Sequence, residues 1–190
     1  MPRPKTGDKR AAILHAAINT IAEAGVGAST ASIAKAADVA EGSLFRYFPD
    51  KDKLLNELYR ELKLDMRRAM IAGFPPSGSL RTRVHHIWSA YVTWGMESPA
   101  KRRAMLQLSV SDRITDQSRQ EGQAGFEDAT KAMQQFVARG KLSGLPAAYA
   151  SDLLLAMAET TMASMAANPA KAEHYRSAGF EAFWSVAGKK

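Results

Sequence analysis

The sequence predicts an all-α chain, on three observations. Apolar residues recur at helical spacing, glycine and proline stand at the ends of the periodic segments, and no run alternates as a strand would. The 190 residues, 46% of them apolar, suffice for a sizeable core. In KRAAILHAAINTIAEAG, Leu14, Ala17, Ile18 and Ile21 fall at i, i+3, i+4 and i+7, and Gly25 ends the first helix where a left-handed residue is favoured. Ser29 or Thr30 caps a short second helix, TASIAKAA, with Ile33, Ala34 and Ala37 on its buried side. Asp38 and Val39 turn the chain into a third short helix, EGSLFRYF, which Pro49 and Asp50 close. A long fourth helix, KDKLLNELYRELKLDMRRAMIAG, carries the buried row Leu54, Leu58 and Leu62, with Leu55 beside it.

GFPPSGS, residues 73–79, has two prolines and two glycines and is the clearest boundary in the chain. Beyond it, helices are expected over 80–97, 99–110, 118–139, 147–167 and 170–187, with Pro99, Pro146 and Pro169 at first-turn positions, where a proline costs nothing. The expected organisation is an N-terminal domain over 1–50, a connecting helix over 51–72 and a C-terminal helical domain over 73–190.

Composition narrows the chemistry. Cysteine is absent, which excludes disulfides, thiolate catalysis, zinc fingers and iron–sulfur clusters. His85 and His86 are adjacent and point to different sides of a helix, and His15 and His174 lie at no ligand spacing, so neither metal nor cofactor is expected. No window approaches the ~18 consecutive apolar residues of a membrane span. The opening MPRPKTGDKR lacks an apolar segment and cleavage site of a signal peptide, so no membrane role is expected and the cytoplasm is the expected location. A net charge of +7 favours polyanionic partners. Cations outnumber anions by three in residues 1–72 and by four in 73–190, so a few well-placed cations rather than a regional excess must meet a polyanion.

Two short helices joined by a tight turn and braced by longer helices have the build of a helix-turn-helix unit, whose second short helix enters the major groove. Such a helix needs small residues at its exposed start, and Gly42 and Ser43 provide them. Leu44 and Phe48, at i and i+4, point back to the core. Thr30, Tyr47, Lys51 and Lys53 stand where hydroxyls and cations reach phosphates. The bland alternative is a small helical bundle with no DNA role.

The segment from Ile13 to Leu55, and above all IAKAADVAEGSLFRYFPDKDKLL, resembles the DNA-binding domain of the TetR (tetracycline repressor) family. The Ile-Ala of the second helix, the Val of the turn, the Gly after the third helix starts, the aromatic run ending at Phe48 and the Lys-x-x-Leu-Leu fall in register. There are three departures. Asp38 stands where the family usually has glycine, and tolerates a left-handed conformation at modest cost. Ala40 replaces the usual Ser or Thr cap, which removes about 1 kcal/mol of capping and leaves a recognition helix expected to be loose until DNA orders it. Phe45 replaces a tyrosine often found there, so that hydroxyl contact with phosphate is lost.

The resemblance implies base-edge reading by Glu41, Gly42, Ser43 and Arg46, with Arg46 placed for a bidentate guanine contact and Glu41 for a cytosine amino group. It implies phosphate positioning by Thr30, Tyr47 and Lys51. Arg3, Lys5, Lys9 and Arg10 form either a mobile arm along the DNA or a solvated terminus. The family's effector cavity lies among the middle helices. Trp88, Tyr91, Met105, Phe126 and Met157 are the residues expected to line it here, the competing reading of each being ordinary core; Val84 and Trp94 share a side with the first two. Among the carboxylates, Asp112, Asp116, Asp128 and Glu159 are a counter-charge for a cationic effector or, more simply, caps and surface groups.

The last two helices are rich in small residues, which permits close approach of a second helix pair in a homodimer. The resemblance therefore implies a regulator, usually a repressor. It binds a palindromic double-stranded DNA operator as a dimer, and an unidentified small-molecule effector releases it. Two alternatives are a helix-turn-helix regulator controlled by a protein partner or its own abundance, and an enzyme. For the enzyme the sequence offers no nucleophile elbow, phosphate-cradling glycine loop or HExxH.

Overall fold

The computed structural model describes residues 6–187, which are all-helical. The helices are α1 (Thr6–Ala24), α2 (Thr30–Ala36), α3 (Glu41–Tyr47), α4 (Lys51–Ile71), α5 (Leu80–Glu97), α6 (Pro99–Ser109), α7 (Asp116–Gln123), α8 (Glu127–Arg139), α9 (Ala147–Ala167) and α10 (Ala172–Ala187), with a 3-10 turn at Pro169–Lys171 before α10. They form two compact units. One comprises Met1–Asp65 with Ser98–Gln123, the other Met66–Glu97 with Ala124–Lys190.

This partition differs from the expected cut at residue 73. GFPPSGS links α4 to α5 within the second unit, whereas α6 packs along α1 in the first. The apolar side of α6 explains its placement, since Ala104, Met105 and Leu108 are buried there. The helix expected over 118–139 is also two helices. Gly125, at φ +84°, adopts a conformation that a continuing helix cannot contain, and α8 restarts beyond it.

In the first unit, Ile13, Leu14, Ala16, Ala17 and Ile21 are the buried side of α1, while Ile18 is only half-buried. Gly25, at φ +74°, ends the helix, its N–H bonding to the Ile21 carbonyl at 2.9 Å. On α4, Leu54, Leu55, Leu58 and Leu62 are all buried as expected, but Asn56 lies buried among them. Its amide is saturated. Nδ2 donates to the Asp52 and Arg113 carbonyls at 2.8 and 2.9 Å, and Oδ1 accepts from Thr115 N–H at 2.9 Å and Thr115 Oγ1 at 3.1 Å. Arg60 adds a bond to Ser118 Oγ at 2.7 Å, and Arg113 pairs with Asp52 at 3.0 Å. These polar ties hold the segment around α7 onto α4. Asn56→Ala is expected to cost about 2 kcal/mol, because it removes all the hydrogen bonds of a buried amide and leaves their part-buried backbone partners unpaired. Denaturant unfolding measures it, and a loss below about 0.5 kcal/mol would show that the amide's bonds are dispensable.

In the second unit, the aromatic side chains of α5, α8 and α10 form the core. The Trp88 ring stacks at 16° on Phe183, 6.3 Å away, and Phe136 lies 5.3 Å from Phe183. Gly179 permits this density. A Cβ there would fall 2.3 Å from Thr161 Oγ1 and 2.8 Å from Trp88 Cζ2, so α10 approaches its neighbours as only glycine allows. Ser79 Oγ caps α5 by accepting from Thr82 N–H at 3.1 Å. The Glu127 carboxylate at the start of α8 accepts from Gly125 N–H at 2.9 Å, and that bond holds its pKa below the usual carboxylate range.

Candidate DNA interface

The helix-turn-helix is assembled by local backbone chemistry. Ser29, with extended backbone, caps α2, its Oγ accepting from Ser32 N–H at 3.0 Å. After Ala36 the chain reverses at Asp38, whose φ of +52° is the left-handed conformation expected of it. Two bonds close the turn, from Asp38 N–H to the Lys35 carbonyl at 3.2 Å and from Val39 N–H to the Ala34 carbonyl at 3.0 Å. α3 then starts at Glu41 with no side-chain cap from Ala40. Leu44 and Phe48 are fully buried and fix its inner side. Asp50 caps α4, Oδ1 accepting from Lys53 N–H at 2.7 Å, a cap that the sequence reading passed over.

α3 leaves one side outward. Glu41, Gly42, Phe45 and Arg46 are exposed, and Ser43 and Tyr47 are half-buried. An added Cβ at Gly42 would meet nothing within 4 Å. Glycine in a helix costs about 1 kcal/mol relative to alanine, and no internal contact requires it here. The missing side chain leaves the backbone of this turn open on its outer side. Phe45 presents an apolar ring that is 41% exposed, and the next residue, Arg46, is exposed as well. Lys51, at the start of α4, is half-buried. Burial and then the charge of Arg113 lower its pKa, with Asp52 opposing.

Thr30 is half-buried at the start of α2, and its Oγ1 donates to Glu41 Oε1 at 2.6 Å. Two residues expected to act separately are thus joined. Arg10, expected in a terminal arm, instead lies within α1, where it pairs with Glu57 and stands 5.6 Å over the Phe48 ring. Lys9 is also in α1, while Arg3 and Lys5 lie outside the described residues.

The five residues expected to line an effector cavity are divided. Met105 belongs to the first unit, and Trp88, Tyr91, Phe126 and Met157 belong to the second. Trp88, Tyr91 and Phe126 are buried and Met157 is half-buried. The Tyr91 hydroxyl donates to Glu159 at 2.7 Å, and its ring stacks on Trp94 at 6.0 Å. A groove of about 380 Å³ in the same unit is lined by Ala69, Ala72, His86, Ser89, Thr93 and Trp94 among others, and by none of the five. His86 Nε2 lies 2.9 Å from the Met70 carbonyl, and His85 sets its ring edge-on to Phe180, so the adjacent histidines serve different neighbours. Sequence reasoning missed the Asn56 network and the Thr30–Glu41 bond. The signal for the first was present, a lone amide inside a leucine row.

The family profile for bacterial regulatory proteins of the tetR family matches residues 13–58, which take in α2, α3 and the start of α4. Over 166 residues the chain is 31% identical to the HTH-type transcriptional regulator BetI of Paraburkholderia phytofirmans, covering 76% of this chain and 80% of that protein. A crystal structure assigned to a tetR family transcription regulator of Shewanella sp. PV-4 superposes with a TM-score of 0.81 at 28% identity, covering 96% of this chain and 99% of that one. The TetR-like regulator LfrR of Mycobacterium smegmatis, solved with proflavine, shares the fold at a TM-score of 0.67 and 19% identity, covering 94% and 96% of the two chains. The chain belongs to the TetR family and is a DNA-binding transcriptional regulator.

Proposed function

We propose that the chain is a cytoplasmic repressor that binds a palindromic operator as a homodimer and leaves it when a small-molecule effector enters the second unit. The observation that carries the DNA-binding part is the outward side of α3, where an internally unneeded Gly42 stands between Glu41 and Ser43, with Arg46 one turn on. In this reading Glu41, Gly42, Ser43 and Arg46 face base edges, and Tyr47 and Lys51 serve the phosphate side.

Dimerisation through α9 and α10 is supported by their outer side. Tyr149 and Leu155 of α9 and Val186 of α10 are exposed, as are the small residues Ala163, Ala178 and Ala182. A second copy related by a two-fold axis covers such a side with itself and spaces two recognition helices for a palindrome. The groove beside Trp94 supports effector entry, as does the proflavine complex of a fold neighbour. Trp88, Tyr91 and Phe126 are packed interior in the same unit and Met157 is half-buried, so an effector reaching the first three must open that interior. The effector must prefer the released conformation, because equal affinity for both shifts nothing. α4, whose residues belong to both units, is the proposed link.

Sedimentation velocity tests the dimer. The expected particle is about twice the 20.6 kDa chain. A monomer both with and without operator would overturn the proposal.

A further inference from the structure

We infer that Thr30 is a positioning residue for sequence reading. Its hydroxyl fixes the Glu41 carboxylate so that the free oxygen accepts a cytosine amino group, and Thr30 does not itself hold a phosphate. This rests on the DNA-binding reading of α3 above. Three observations carry it. The Thr30 hydroxyl has one proton, and that proton goes to Glu41 Oε1 at 2.6 Å. Turned toward a phosphate, the same hydroxyl offers only lone pairs to an anion. Second, Glu41 is exposed and is the one acidic residue of α3, on the helix that faces the polyanion. A free carboxylate there repels phosphates, whereas one held in a single orientation is matched to a base that donates. Third, Ala40 gives the start of α3 no side-chain cap, so the bond from the first residue of α2 is the side-chain tie on the first turn that presents Glu41.

The arrangement divides the labour differently from the sequence expectation. Thr30 acts through Glu41, while Tyr47 and Lys51 remain on the phosphate side. A threonine hydroxyl at 2.6 Å also leaves Oε2 unused by Thr30, and a carboxylate accepts through both oxygens.

The test begins with selection of duplexes from a random pool by the full chain. Dissociation constants at fixed salt are then measured for the selected site and its single base-pair variants. The wild type is expected to favour C·G over the other pairs at one position per half-site by roughly tenfold. Thr30→Val is expected to flatten that preference as far as Glu41→Ala does, with preferences elsewhere unchanged, and Thr30→Ser is expected to restore it. In the Glu41→Ala background, Thr30→Val should change nothing further.

A uniform loss of affinity on Thr30→Val, with every base preference intact, would overturn the inference and make Thr30 a backbone contact while leaving DNA binding in place. A further loss in the Glu41→Ala background would do the same. A wild-type chain that selects no sequence would overturn the DNA-binding reading, and this inference with it.

Discussion

Phe48→Ala is expected to lower the melting temperature by about 10 °C and to abolish operator binding. The ring is fully buried at the end of α3, one turn after the equally buried Leu44. These two side chains anchor the recognition helix to the unit behind it. The helix has seven residues and no N-terminal side-chain cap, so its own hydrogen bonds cannot sustain it. Removing a buried phenylalanine side chain costs about 3 to 5 kcal/mol, partly through the cavity left behind. Arg10 adds to the loss, since its guanidinium stands over the ring and its carboxylate partner Glu57 sits on α4. A melting temperature lowered by less than about 3 °C would show that Phe48 is not the anchor.

Trp88→Ala is expected to cost a similar 3 to 5 kcal/mol, in the second unit. Trp88 is fully buried, stacks on Phe183, and donates its indole N–H to the Arg176 carbonyl at 3.2 Å. Arg176 in turn donates to Thr93 Oγ1 at 2.8 Å, so the substitution also loosens a polar tie back to α5. Trp88→Phe retains most of the apolar volume and is expected to lose less than half as much. The two variants separate the readings of this residue. If Trp88 were mainly an effector contact, Trp88→Ala would keep its unfolding midpoint and lose only its response to ligand.

The elements were legible where the cause is local. Helix periodicity, Gly25 and the Ser29 cap are written within a few residues of where they act, and Asp38 turns at φ +52° because the chain must reverse there whatever its side chain. What escaped depends on distant partners. Ile13 and Ile18 look equally apolar in the sequence, and only the direction from which neighbours arrive buries the first and leaves the second half-exposed. α6 reads as a generic amphipathic helix, and nothing in its pattern says that its apolar side meets α1. The break at Gly125 was obscured because helical residues flank it on both sides and one glycine alone does not declare its φ. At the site, residue types were readable and their connections were not. Thr30 and Glu41 lie 11 positions apart, and only the turn at Asp38 brings hydroxyl to carboxylate.

DNA recognition by α3 and the start of α4 is the claim on which the rest depends, and operator affinity at fixed salt tests it most directly. The wild type is compared with a variant carrying Tyr47→Ala and Lys51→Ala, both half-buried residues outside the fully buried core of the unit. The expected result is a loss of about tenfold or more for every sequence alike, with the salt dependence shallower by about one per half-site as the one cationic phosphate contact of the pair disappears. Unchanged affinity and an unchanged salt slope would contradict the docking of this surface on DNA.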